Sequence, residues 1–259
     1  MRIVGTGEPT LIFVHGYACA MDDWDGQLDA LSKSFRCIAL NLPGHGGSAL
    51  PGRVSIEAMA EMVNNVKEQI GSSRFVLIGH SMGCRVVTEA YRQSPSKVAG
   101  LVFVDGGKFE GELESALTLR MNRIDRDGMD AVTVQSVDNM FLDNCDPEVR
   151  QHVARRALGM DPGFRKELIL QLLRWDAGEA DEALKQVAVP VLVLQSTYFG
   201  PELKLAALQP GMTAPWLDLV ANLVPSAEIE IIPGVGHFTM IEAAPAVNAA
   251  LVRFAAKIA

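Results

Sequence analysis

Short, continuous apolar runs recur along the chain and predict buried strands. The first clear run, residues 10–15 (TLIFVH), ends at Gly16. Strands of a parallel sheet that is covered on both faces are uninterrupted hydrophobic stretches rather than alternating ones. Further runs of this kind, each ending at a turn-forming residue, are found at 37–40, 75–78, 101–104, 191–194 and 229–232.

Stretches with helical periodicity lie between these runs. They are residues 24–35, 56–70, 81–92, 215–223 and 246–258. Alternation of strands and helices predicts an α/β fold, with a mostly parallel sheet flanked by helices. In such sheets the functional residues gather at the carboxyl ends of the strands.

One long segment, residues 108–186, interrupts the alternation. It carries amphipathic stretches but no strand pattern. Because it follows the end of a predicted strand, where a pocket would open, we expect an inserted helical lid, with an ordinary helical extension of the core as the alternative. The expected organisation is one core, 1–107 and 187–259, with the lid at 108–186. A second stretch, 197–213, is expected to be an irregular loop.

The composition and the spacing of residues argue against several classes of function. The chain has 259 residues, 49% of them hydrophobic, and a formal net charge of −8. Its basic residues are scattered, which argues against a nucleic-acid partner. Neither its histidines nor its four cysteines have metal-binding spacing, so we expect reduced thiols and no metal or other cofactor. No leader pattern and no membrane-length apolar run is present, which predicts a cytoplasmic protein without a membrane partner. The oligomeric state stays open.

The motif G-x-S-x-G occurs at residues 79–83, between the predicted strand 75–78 and the following helix. In this context the motif forms a tight turn that exposes the serine hydroxyl. Ser81 is therefore the candidate nucleophile, with an ordinary structural turn as the alternative.

A serine hydroxyl needs a base, and His237 is the candidate. It follows the last predicted strand and precedes the last helix, so it should reach the same sheet edge as Ser81. The developing negative charge on an attacked carbonyl oxygen needs preorganised donors. The backbone amides of Met82 and Tyr17 are the candidates for this oxyanion hole.

These features resemble those of the α/β-hydrolase superfamily, and the resemblance covers essentially the whole chain. It rests on four motifs, which are His15-Gly16-Tyr17, LPGHGGS at 42–48, GHSMG at 79–83 and Gly236-His237. The resemblance implies the α/β-hydrolase fold and a serine nucleophile with a catalytic triad. It is specific for fold and mechanism and far less specific for substrate.

The sequence departs from the usual pattern at the triad acid. Members of the superfamily usually place it just after the strand that here ends near Gln195, but the turn that follows has no carboxylate. Asp105 ends the strand after the nucleophile helix, and a minority of the superfamily, including zearalenone-lactonase-like enzymes, carries its acid there. We take Asp105 as the acid. Glu202 and Asp218 are alternatives, and Asp105 could instead cap the glycine turn that follows it.

The expected activity is hydrolysis of a carboxylic ester or lactone of a small, largely apolar molecule. Rival hypotheses are hydrolysis of a carbon–carbon bond or cofactor-free peracid formation on the same triad, and a slow-turnover ligand receptor. Apolar residues in or near the lid are candidates for substrate contact, although each could simply pack within the lid. They are Trp175, Phe141, Met140 and Trp216.

Overall fold

The computed structural model describes residues 1–199 and 205–258, and its centre is a seven-stranded sheet. Along this described part of the chain, the strands are β1 (Arg2–Val4), β2 (Thr10–Val14), β3 (Cys37–Leu40), β4 (Phe75–His80), β5 (Val98–Val104), β6 (Val191–Gln195), β7 (Thr197–Phe199), β8 (Leu205–Ala207) and β9 (Ala227–Ile231). The sheet order is β1-β3-β2-β4-β5-β6-β9. Only β1 runs antiparallel to its neighbour within this sheet.

Helices cover this sheet and fill the long insertion between β5 and β6. The α-helices are α1 (Asp25–Leu31), α2 (Ile56–Ile70), α3 (Met82–Gln93), α4 (Leu113–Asp127), α5 (Met129–Asp138), α6 (Pro147–Leu158), α7 (Pro162–Gly178), α8 (Ala180–Lys185), α9 (Pro215–Leu223), α10 (Thr239–Glu242) and α11 (Ala244–Lys257). Within the described ranges, none of them has the length and apolarity that crossing a bilayer requires.

The predicted fold class is confirmed, because the central strands β2 to β6 are buried along almost their whole length. Three details differ from the prediction. The short edge strand β1 was missed, and residues 197–213 contain two paired antiparallel strands, β7 and β8, rather than only an irregular loop. The predicted helix 24–35 is instead a 3-10 turn, Met21–Trp24, followed by the shorter α1.

Helices α4 to α8 form the segment expected to be a lid, and buried ion pairs attach part of it to the core. Arg85 of α3 binds Asp176 of α7 through two hydrogen bonds of 2.7 and 2.6 Å. Arg156 of α6 binds Asp23, at 2.8 and 2.7 Å, and the carbonyl of Ala18 at 3.1 Å. Helix α6 and helix α7 are therefore each fixed to the core by a guanidinium.

A separate small hydrophobic cluster joins α4, α5 and α7. Its buried members are Ile124, Met129 and Val132, and Ile169 packs against them. Only one residue of the long helix α4, Ile124, is buried. Helix α4 is thus held by this satellite cluster rather than by the main core.

Candidate active site

Ser81 occupies a strained turn between β4 and α3. Its backbone has φ 52° and ψ −113°, a left-handed φ that a non-glycine residue rarely adopts. The flanking glycines permit the turn, since a Cβ on Gly79 would lie 2.3 Å from the carbonyl oxygen of Gly83. A Cβ on Gly83 would likewise lie 2.3 Å from the carbonyl oxygen of Val14. This tight packing projects the serine side chain from the end of the strand.

The Ser81 hydroxyl meets His237, which the loop after β9 delivers to the same edge. Ser81 Oγ lies 2.8 Å from Nε2 of His237. The other ring nitrogen, Nδ1, lies 3.2 Å from Oδ2 of Asp105, which directly follows β5 and is completely buried. The structure thus brings the three predicted side chains into one chain of contacts, although they are far apart in sequence.

Asp105 is held by a cradle of donors from the turn after β6. The amides of Ser196 and Thr197 donate to Oδ1 at 3.2 and 3.1 Å. Their hydroxyls donate to Oδ2 at 2.8 and 2.9 Å, and Thr239 Oγ1 lies 3.3 Å from the same oxygen. A buried carboxylate with this many donors is fixed in orientation. Sequence reasoning did not anticipate these hydroxyls.

The His237 loop is held in place on both sides. Its carbonyl accepts a hydrogen bond of 2.8 Å from Nε2 of His80, and its amide donates to the carbonyl of Met140 at 2.9 Å. Burial lowers the pKa of His80 to about 3, and the nearby His237 acts in the same direction, so this ring stays neutral. On the far side of the loop, the amide of Gly236 donates to Glu242 at 3.1 Å.

The amides of Met82 and Tyr17 are unoccupied donors near Ser81. Among residues 1–199 and 205–258, neither has a hydrogen-bond acceptor. Met82 opens α3, where the helix dipole favours negative charge. A Cβ on Gly16, the residue before Tyr17, would lie 3.1 Å from Cβ of Ser81, so this loop approaches the serine closely.

Two buried histidines brace the loops at this edge. His15 places Nδ1 2.8 Å from the carbonyl of Gly16, and its Nε2 accepts a hydrogen bond of 3.0 Å from the amide of Leu42. The ring of His45 lies 4.9 Å from that of His15. Burial lowers the pKa of His45 to about 4 and that of His15 well below its ordinary value.

Of the alternative acids, only one can be located. Asp218 is exposed on α9 and accepts a hydrogen bond of 2.5 Å from Thr213 Oγ1. Glu202 lies outside the described residues. Asp105 is therefore the carboxylate that contacts His237 in the described part of the chain.

Known proteins share this arrangement of elements. A family model for the alpha/beta hydrolase fold matches residues 9–141, about half of the chain, including the strand β4 and the turn at Ser81. The chain belongs to the alpha/beta hydrolase family.

A curated relative matches along most of both chains. A pimeloyl-[acyl-carrier protein] methyl ester esterase of Nitrosomonas europaea is 26% identical, over 92% of both chains. Two dihydrolipoyllysine-residue acetyltransferase components of acetoin cleaving systems also match. That of Cupriavidus necator is 32% identical over 44% of this chain and 31% of its own length. That of Pseudomonas putida is 26% identical over 98% of this chain and 65% of its own length. The chain therefore spans from about a third to just under two thirds of these two proteins.

Solved structures of similar proteins support the alpha/beta hydrolase fold. A malate-bound esterase from Thermogutta terrifontis superimposes with a TM-score of 0.81, at 23% identity, covering 99% of this chain and 92% of its own. An enol-lactonase from Burkholderia xenovorans LB400 gives a TM-score of 0.79, at 20% identity, covering 98% and 94%. At these identities the likeness shows the fold.

The apolar candidates for substrate contact in this alpha/beta hydrolase divide into two groups. Met140 and Phe141 lie beside the His237 loop, where the ring of Phe141 stacks on Phe238 at 4.8 Å. Trp175 and Trp216 instead line a cavity of about 10 Å³ next to α3, which has room for at most one water molecule. In this conformation the two tryptophans pack rather than open a pocket.

No metal site is visible in the residues that the structure describes. They contain no group of three or more histidine, cysteine or carboxylate side chains that could hold an ion. All four cysteines are buried and free.

Proposed function

We propose that this protein is a serine hydrolase that cleaves a carboxylic ester or lactone through an acyl-enzyme. The observation that carries the proposal is the contact chain at the sheet edge. Ser81 Oγ lies 2.8 Å from His237 Nε2, and Nδ1 of the same ring lies 3.2 Å from the buried carboxylate of Asp105. This is the geometry of a nucleophile, its base and the acid that orients the base.

The proposed reaction begins with attack of Ser81 Oγ on the substrate carbonyl. His237 Nε2 accepts the hydroxyl proton, and Asp105 stabilises the imidazolium that results. The amides of Tyr17 and Met82 donate to the oxyanion. When the tetrahedral intermediate collapses, His237 returns the proton to the departing alkoxide and the acyl group remains on Ser81.

Water completes the cycle. His237 removes a proton from a water molecule, which attacks the acyl-enzyme, and the same oxyanion donors stabilise the second tetrahedral intermediate. The acid is released and Ser81 recovers its proton. Each step uses side chains and amides of this chain, and the proposal requires no cofactor.

The proposal includes a lid and a substrate class. Residues 108–186 would cover the site over a core of 1–107 and 187–259, and Met140 and Phe141 would contribute apolar surface next to His237. The alpha/beta hydrolase family includes enzymes named for ester and lactone cleavage, such as the methyl ester esterase and the enol-lactonase described above. We expect the substrates of this protein to be small, largely apolar molecules.

Hydrolysis of p-nitrophenyl esters and aryl lactones tests the proposal. We expect turnover by the wild type that Ser81→Ala abolishes at equal protein concentration, because the proposed acyl-enzyme forms on that hydroxyl. Equal hydrolysis by wild type and Ser81→Ala would contradict the proposed nucleophile. A panel without any turnover would reject ester and lactone hydrolysis.

A further inference from the structure

A cluster of cationic side chains surrounds Tyr17, the residue next to the proposed oxyanion hole. Arg165 of α7 donates to Thr133 Oγ1 at 2.7 Å and to Asp130 Oδ1 at 2.5 Å, both on α5. Arg120 of α4 lies close enough to act electrostatically on the Tyr17 phenol. Burial raises the pKa of this phenol to about 12, and the charges of Arg165 and Arg120 oppose the rise.

Two polar groups in this cluster lack partners although they are buried. The side chain of Arg165 is 1% exposed, and its Nε has no hydrogen-bond partner among the described residues. The hydroxyl of Tyr17 is likewise enclosed and makes no hydrogen bond of standard geometry within them, although the Thr133 hydroxyl lies near enough to lower its pKa. Buried polar groups in native proteins almost always have partners. Because Nε–H can only donate, the partner missing at Arg165 is an acceptor, and a phenol can donate to the same acceptor.

The charges that act on the Tyr17 phenol are those of two arginines, Arg165 and Arg120, although the protein as a whole carries a net charge of −8. Within the cluster the acidic partner of Arg165 is Asp130, whose side chain is 72% exposed. Arg120 is half-buried, and both its burial and the neighbouring charge of Arg123 lower its pKa. A guanidinium that is desolvated beside another cation is stabilised by a bound anion.

This cluster adjoins the proposed reaction centre through Tyr17. The backbone amide of Tyr17 is a proposed oxyanion donor, and the charge of Arg165 acts on its phenol. Gly16, one residue earlier, packs against Ser81. An acceptor bound to the phenol and to Arg165 would therefore lie one tyrosine side chain away from the carbonyl under attack.

We infer that Arg165, Arg120 and Tyr17 bind a carboxylate group of the substrate, so that the preferred ester is the half-ester of a short dicarboxylic acid. The inference rests on the proposed function, because it places this carboxylate relative to Ser81. A carboxylate would accept from the Arg165 Nε and the Tyr17 hydroxyl together and would offset the excess charge. The apolar body of the substrate would span the distance to the serine.

Paired substrates measure this preference directly. The probes are the monomethyl esters of succinate, glutarate and adipate, each compared with the methyl ester of the neutral monoacid of equal chain length. For at least one pair we expect wild-type kcat/KM to favour the half-ester by about tenfold or more, the usual magnitude of a hydrogen bond to a charged group. Arg120→Gln and Arg165→Gln should each lower this ratio by about tenfold.

Arg126→Gln is the matched control, because Arg126 also lies on α4 but is 72% exposed and pairs with Asp127. It should keep the wild-type ratio.

Arg165→Gln removes hydrogen bonds to Thr133 and Asp130, so thermal unfolding is measured for every variant to check that it folds. If Arg165→Gln does not fold, the substrate ratio of Arg120→Gln decides the test.

Calorimetry measures binding of the same half-esters to Ser81→Ala and to the double variant Ser81→Ala/Arg120→Gln. It tests the carboxylate site separately from the proposed hydrolysis. If these half-esters bind with an affinity that Arg120→Gln lowers about tenfold, the carboxylate site stands even if the proposed hydrolysis fails. If the wild type hydrolyses neutral esters at least as well as every half-ester, the carboxylate site is rejected and the serine hydrolase proposal survives. Absence of half-ester binding to Ser81→Ala would also reject the site.

Discussion

At the scale of single residues, the turn after β6 binds a carboxylate instead of supplying one. Ser196 and Thr197 occupy the place where the family usually carries its acid, and their amides and hydroxyls bind Asp105 from the neighbouring strand β5. The carboxylate that they bind comes from β5, the neighbour of β6 in the sheet, and it lies 3.2 Å from Nδ1 of His237.

Replacing Asp105 by asparagine should lower kcat by roughly a thousandfold or more, because the amide cannot stabilise the imidazolium of His237 in the same way. Steady-state kinetics on the best ester of the panel measures the effect. Asp218→Asn is the control, since Asp218 is exposed and bonded to Thr213, and it should keep wild-type kcat. Full activity of Asp105→Asn together with its loss in Glu202→Gln would transfer the acid to Glu202.

Much of this site was accessible from the sequence because each candidate side chain follows the end of a predicted strand. Ser81 was marked by its glycines, and His237 and Asp105 by their positions after apolar runs. The roles of Ser196 and Thr239 could not be predicted, because they depend on the pairing of β5 with β6 and on the return of the chain after β9. The lack of a carboxylate in the turn after β6 was the one sequence signal that this turn differs from the usual pattern.

At the scale of elements, the inserted helices are unequally attached to the core. Helix α7 is bonded to the nucleophile helix α3 through Arg85 and Asp176, whose side chains are only 14% and 2% exposed. Helix α4, in contrast, relies on a small satellite cluster. Motion of the insertion is therefore expected first in α4, which carries Arg120.

Arg85→Met should lower the free energy of unfolding by about 3 kcal/mol or more, because it leaves the buried carboxylate of Asp176 without its cation. Urea denaturation measures the change. Lys257→Met is the matched control, since Lys257 and Glu228 form an exposed pair, and its cost should be under about 1 kcal/mol. The double variant Arg85→Met/Asp176→Leu should recover much of the loss. If Arg85→Met and Lys257→Met lower the free energy of unfolding equally, the buried pair stabilises the protein no more than the exposed pair does.

The elements that sequence analysis missed are the short ones. Strands β1, β7 and β8 have three residues each, too few to show a period. Their positions follow from pairing with distant or neighbouring segments, as β1 does with β3. The long buried strands and the helices after them were predictable because each has enough residues to display its period.

At the scale of the whole molecule, parallel strands bring together residues that are far apart in the chain, and the edge they share is packed with neutral histidines. His45 and His80 are both buried, and burial lowers their pKa to about 4 and about 3. In the unfolded chain these side chains titrate near their ordinary value of 6.5. The folded protein therefore binds fewer protons than the unfolded chain under mildly acidic conditions.

This difference predicts that the free energy of unfolding is undiminished above the pKa that these histidines have in the unfolded chain, and that it decreases as the pH falls below that value. Each histidine should reduce the free energy of unfolding by roughly 1 to 2 kcal/mol between about pH 7 and about pH 5. Urea denaturation across this range, compared between wild type and His80→Asn, should show a shallower decline in the variant. His152→Asn is the control, because His152 is 56% exposed, and it should leave the slope unchanged. A slope that His80→Asn does not alter would contradict the neutral state of His80.

The central claim, that Ser81 is an activated nucleophile, is tested most directly by labelling with a fluorophosphonate and mapping the adduct by mass spectrometry. The reagent phosphonylates an activated serine with loss of fluoride, so its reaction does not depend on knowing the substrate. We expect one adduct on Ser81 of the folded protein, absent from Ser81→Ala and formed far more slowly in His237→Ala. An unlabelled wild type, or an adduct on another residue that persists in Ser81→Ala, would contradict the account.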